Sequence, residues 1–167
     1  MNRLNPLVII VAFLLPLNGC GMVVLTAVDT VRGEQSDLLI VETVQDLQSY
    51  HAIVLEPVTS AVGEQLDPTL LAYLNSKIHD ELVHSGIKLS DEGQLHLSGL
   101  VLHVENGIRK KQLVVQMKLQ VTKTGQSLGV ANITGQSSGL RGLKSSAGGI
   151  AKEISELLKT HQYPVET

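Results

Sequence analysis

Aromatic side chains are nearly absent from this 167-residue chain, which has three tyrosines, one phenylalanine and no tryptophan. Sites for sugars and for single-stranded nucleic acid usually rest on aromatic platforms, so the shortage weighs against both classes. Clustered positive charge is missing too. Thirteen Lys and Arg stand against sixteen Asp and Glu, for a formal charge of −3. A mildly acidic chain is poorly matched to a phosphate backbone, and no nucleic-acid partner is expected. Cys20 is the single cysteine, which excludes an internal disulfide. Long apolar runs are lacking as well: residues 7–15 form an uninterrupted stretch of nine, well short of the roughly twenty a spanning helix needs.

What the amino terminus does have is a short basic start (Arg3), that apolar stretch, and then Leu17-Asn18-Gly19-Cys20. The run has the length of a signal-peptide core, and Pro6 and Pro16 bracket it, which suits a segment that need not persist as a helix. The pattern resembles a bacterial lipoprotein signal with its lipobox, although Asn18 departs from the small or β-branched residue usual there. The resemblance implies cleavage before Cys20, a lipid on its thiol and palmitate-like acyl chains. Gly21, rather than Asp, implies sorting to the periplasmic face of the outer membrane. Each buried methylene contributes about 0.8 kcal/mol, and two or more chains anchor stably. The expected organisation is a signal peptide at 1–19, a tether at 20–48 that is partly ordered if 38–44 pairs as a strand, and a domain at 49–163.

Within the domain, residues 50–58 read as a strand covered on both faces, because Ala52, Ile53, Val54 and Leu55 are consecutive. Asp67 and Pro68 predict a helix start. Leu71, Leu74, Ile78 and Leu82 form its apolar stripe, and Gly86 is its left-handed stop. Residues 87–89 predict a short strand. Residues 94–105 read as a strand with a bulge at Gly99, and Asn106-Gly107 as a two-residue hairpin turn. Leu113, Val115, Met117, Leu119 and Val121 alternate with polar or smaller residues, as a half-buried strand does. A third meander strand at 128–137 follows. The last helix carries Ile150, Ile154, Leu157 and Leu158, with Ser145 or Ser146 as cap. The fold class expected is α+β: a two-layer sandwich, a mostly antiparallel sheet with two helices on one face.

Four phrases carry a wider resemblance: Asp46-Leu-Gln-Ser-Tyr50, residues 95–104, Thr124-Gly125-Gln126-Ser127-Leu128, and residues 148–158. Together, over roughly residues 46–160, they are similar to bacterial lipoproteins of unknown function with a TolB-N-terminal-like α/β domain. That family carries no agreed catalytic residues, so the resemblance implies none here.

Candidate chemistry is sparse. The six histidines (His51, His79, His84, His96, His103, His161) lack the one-face spacing of a metal site; no metal or cofactor is expected. The Gly/Ser-rich stretch 138–149 is not a P-loop, because Leu143 separates Gly142 from Lys144. Arg141, Lys144, Ser145 and Ser146 remain candidates for holding an anion ahead of a helix. No Gly-x-Ser-x-Gly elbow is present. Arg109-Lys110-Lys111 reads as a solvated turn rather than a headgroup contact. The expectation is a non-enzymatic module, anchored to a membrane through Cys20 and working on an envelope protein partner, with homo-oligomer formation left open. The alternative is a small-ligand or anion-binding lipoprotein using 138–146.

Overall fold

The computed structural model describes residues 35–108, 110–138, 142–161 and 163. Helix α1 (Pro68–His84) starts where its sequence dictates. The Asp67 carboxylate accepts from the Thr69 amide at 2.8 Å and from the Thr69 hydroxyl, with Pro68 in the first turn. Its end is equally local. Gly86 takes φ +75°, the Ile87 amide donates to Leu82 O and the Gly86 amide to Val83 O, each at 3.0 Å. This is a Schellman closure, and the buried Ile87 and Leu82 make its apolar clasp. The stripe that faces the core is Leu70, Leu74, Ile78 and Leu82. Leu70 replaces the expected Leu71, which is only half-buried.

The sheet is a meander with extra strands at its edges. Strands β4 (Leu95–Asn106), β5 (Lys110–Val121) and β6 (Ser127–Ser138) pair antiparallel in succession. β1 (Gln35–Glu42) adds antiparallel to β6, and β2 (Ile53–Leu55) adds parallel to β4. The order is β1-β6-β5-β4-β2, with the short β3 (Thr59–Ser60) also parallel to β4. Helix α2 (Leu143–Thr160) packs with α1 over one face. The α+β sandwich is therefore the observed fold. Its core lies between the helices and the alternating residues of β5, Leu113, Val115, Met117 and Leu119, together with Leu95, Val101, Ile133, Ile150 and Ile154. Each fully buried aliphatic side chain contributes about 1.5–3 kcal/mol.

Several expectations are corrected. The strand at 50–58 shortens to Ile53–Leu55, and only Ile53 is fully buried, since β2 lies at an edge. Residues 87–89 reach the sheet through one bridge, Leu89 to Ile53, rather than a strand. The register shift in β4 falls between Val101 and His103, not at Gly99. Gly99 is needed for packing: a Cβ there would lie 2.7 Å from Val58 Cγ2 and 3.0 Å from Met117 Sδ. The hairpin after β4 is longer than two residues, with Asn106 paired to Lys111 and no positive φ at Gly107.

The two ends of the sheet differ. At one end β1 begins, β4 finishes and β5 starts: Gln35 pairs with Gln136, Gln136 with Gln112, and Lys110 with Ser138. The β5–β6 turn, closed by Gly125 at φ +68°, lies at the other.

Candidate functional site

The loop ahead of α2 was the sequence's candidate for an anion. Helix α2 begins at Leu143 with Gly142 as an extended N-cap (φ −71°, ψ 171°) and no side-chain cap. The expected serine caps are absent because those side chains lie inside the first turn. Ser146 is fully buried, and its hydroxyl donates to Ser137 Oγ at 3.2 Å. Ser137 Oγ in turn meets Gly142 O at 3.3 Å. This hydroxyl chain ties the start of α2 to β6, so Ser146 serves the fold. At Gly135 a Cβ would come within 2.3 Å of Ser146 O, so helix and strand touch backbone to backbone. The Ser145 amide donates to Gly142 O at 3.0 Å. Lys144 is exposed, with its ammonium 5.2 Å from the centre of the Tyr73 ring; Lys77 reaches the same ring at 5.8 Å. Arg141 and Cys20 lie outside the described residues.

The histidines do not converge. His96 Nδ1 sits 2.6 Å from Glu56 Oε1, His79 Nδ1 3.5 Å from Asp80 Oδ1, and His161 Nδ1 2.9 Å from Leu157 O. The β4 bulge puts His103 on the face of His96, since they oppose Val114 and Gln120. Seven residues of strand still separate them by about 20 Å. Among the described residues no three His, Cys, Asp or Glu assemble as a metal site. A cleft of about 250 Å³ is lined by Tyr50, Glu92, Gly93, Gln94, Val121, Thr122 and Lys123. Two of its polar side chains are engaged in the fold: the Thr122 hydroxyl donates to Gly93 O at 2.7 Å, and Gln94 Oε1 accepts from the His51 amide at 3.0 Å.

The distinctive surface is the outer strand β1. Leu39 is 64% exposed and Val41 51%, with Leu38 and Ile40 exposed on the opposite face of the strand. The strand is nonetheless held firmly. Ser36 Oγ donates to Glu153 Oε2 at 2.9 Å, Gln136 Nε2 to Asp37 Oδ2 at 3.3 Å, and Ser127 Oγ to Glu42 Oε2 at 2.9 Å. Its polar ends are pinned inward while four consecutive aliphatics line an edge that, among the described residues, pairs with β6 alone. Natural sheets usually blunt such an edge with lysine, proline or a covering loop; β1 has no lysine or proline. Sequence reasoning left a strand open at 38–44 within the tether and did not find this exposure; the strand runs Gln35–Glu42. The available signal was Leu38-Leu-Ile-Val41 set between Asp37 and Glu42.

No family model matches the sequence, and no curated protein matches it. Solved structures do share its fold. The PelC dodecamer of Paraburkholderia phytofirmans superposes with a TM-score of 0.59 at 15% identity, covering 78% of this chain and 99% of its own. Protein XCC0632 of Xanthomonas campestris, of the DUF330 family, gives 0.56 at 10% identity, with coverage of 72% and 94%. Lipoprotein GNA1162 of Neisseria meningitidis gives 0.47 at 8% identity, with coverage of 65% and 98%. For PelC and XCC0632 the likeness, at such identities, is one of fold.

Proposed function

We propose that this chain is a lipid-anchored, non-catalytic interaction module of the bacterial envelope. In this reading an acylated Cys20 holds it on the periplasmic face of the outer membrane, and the open β1 edge docks a strand of another protein chain. The observation that carries the reading is the exposed aliphatic edge Leu38-Leu-Ile-Val41 on a strand whose polar ends are already bonded. The lipobox Leu17-Asn18-Gly19-Cys20 and the TolB-N-terminal-like resemblance of residues 46–160 support the address. Confinement to a surface raises effective concentration and turns a weak contact into a lasting one. Strand addition supplies main-chain hydrogen bonds for affinity and side-chain pockets for specificity.

The first occupant of the edge is a second copy of this chain. The dodecameric PelC relative supports self-association, and the strand's own pattern supplies a register. With Leu39 opposite Leu39 of the second copy, Leu38 faces Ile40, Asp37 faces Val41, and the acids Asp37 and Glu42 are not opposed. Both copies then keep their helices on the same side. Light scattering of the full, acylated chain in detergent tests this. The chain should be oligomeric and L39K/V41K monomeric; a monomeric parent chain, or an unchanged L39K/V41K, would overturn self-pairing through this edge. An envelope protein captured at the edge instead of a second copy would keep the edge and change its occupant.

A further inference from the structure

At the tip of the β4–β5 hairpin Ile108 is 94% exposed, far beyond the 36–64% of the other exposed large aliphatics. It is flanked by Gly107 and, two and three residues on, by Lys110 (exposed) and Lys111 (half-buried). Arg109 lies between them, outside the described residues. Glu105, also exposed, is the acid beside the turn, leaving two ammonium groups to one carboxylate. The ladder runs close to the tip, with Asn106 paired to Lys111 and Lys110 to Ser138. A Cβ at Gly107 would lie 3.0 Å from Lys110 O, so the turn is tight. An isoleucine so exposed gains nothing from this fold, and the ammonium groups beside it gain no ion pair within 4 Å among the described residues.

The topology places this tip at the end of the sheet where β1 begins. β1 begins at Gln35, in register with Gln136, which pairs with Gln112 two residues into β5. The chain arriving from Cys20 therefore enters the sheet at the end that carries Ile108. Residues 21–34 span at most about 50 Å when fully extended, which leaves that end within reach of the bilayer. An apolar side chain beside ammonium groups is the chemistry of an interfacial contact, the one entering the acyl boundary and the others meeting headgroup phosphates.

We propose that the β4–β5 tip is a second membrane contact, Ile108 inserting between anionic phospholipids with Lys110 and Lys111 at headgroup level. It rests on the reading of Cys20 as the anchor. The occupant is a phospholipid surface, and the contact orients the unpaired module so that the tip end faces the bilayer; antiparallel β1 pairing sets the two tips at opposite ends of the joined sheet.

The test uses the full, acylated chain carrying L39K/V41K, which keeps it unpaired, in phosphatidylethanolamine–phosphatidylglycerol vesicles. With Cys20 acylated, an introduced cysteine is the sole free thiol for a polarity-sensitive dye. A label at I108C should be quenched at least threefold more by nitroxide lipids than one at T124C, in the turn at the opposite end. With the label moved to N106C, I108D should at least halve the quenching and I108L should preserve it. K110Q/K111Q should lower it in anionic vesicles and leave it unchanged in zwitterionic ones. Intact mass of each sample separates the two claims. An acylated chain quenched equally at 108 and 124 overturns the tip contact and leaves the anchor standing. An unacylated chain overturns the anchor and this inference with it. A tip label shielded from nitroxide lipids by a co-purifying protein assigns the tip to a protein and overturns the lipid contact.

Discussion

The two edges of the sheet are built from similar aliphatic residues and finished in opposite ways. On one side, Ile53 of β2 is fully buried and its backbone is sealed by residues 88–90, with the Ile53 amide donating to Lys88 O at 2.9 Å and the Ser90 amide to Ile53 O at 3.0 Å. On the other, β1 presents Leu38 to Val41 with no element beyond it among the described residues. The first edge contributes to stability; the second contributes little to the monomer and leaves backbone donors and acceptors for another chain. The difference teaches that apolar content does not by itself make core. What lies outside the strand decides.

The contrast can be broken at its strongest point first. I53A removes a fully buried side chain and should cost about 2–5 kcal/mol in urea unfolding, whereas L39A should change monomer stability by no more than about 0.5 kcal/mol. Equal losses would mean the two edges are alike. G93A comes next. A Cβ there would meet Ile53 C and Val54 N at 2.7 Å, both of them backbone atoms, so overpacking beneath the sealed edge should cost about 1–3 kcal/mol. The smallest effect lies away from both edges and serves as a reference. Hydrogen bonds from the Thr69 hydroxyl, then from its amide, hold the Asp67 carboxyl below the usual carboxylate range. A lowered folded pKa gives stability that is present above the unfolded value and is lost as pH falls through the folded one. The melting-temperature advantage of the parent chain over D67A should therefore narrow as pH drops below about 4, and L39A should show no such trend.

Much of the fold was legible because its signals are local. Asp67, Pro68 and Gly86 bound α1 through interactions within a few residues, and the alternation of β5 survives in its burial. What escaped depends on tertiary neighbours. Ser145 and Ser146 looked like caps, but Ser137 across the sheet draws Ser146 inward. The run at 52–55 looked covered on both sides, yet β2 is an edge strand, a matter of topology rather than composition. Gly99 looked like a bulge and is a contact with Val58 and Met117. The anion candidates were adjacent in sequence, but Lys144 lies over Tyr73 and Ser146 points into the core. The β1 edge was left open in the sequence as a strand at 38–44 and was not legible as a surface, because exposure is set by what lies beside a strand in the fold.

Disulfide trapping of the acylated chain in detergent under a mild oxidant tests the open edge most directly. Leu39→Cys should give a reducible product of twice the chain's mass, and Asp91→Cys, beside the sealed edge, should not. Equal trapping at both positions, or none at Leu39→Cys, would contradict the assignment of β1 as the docking edge.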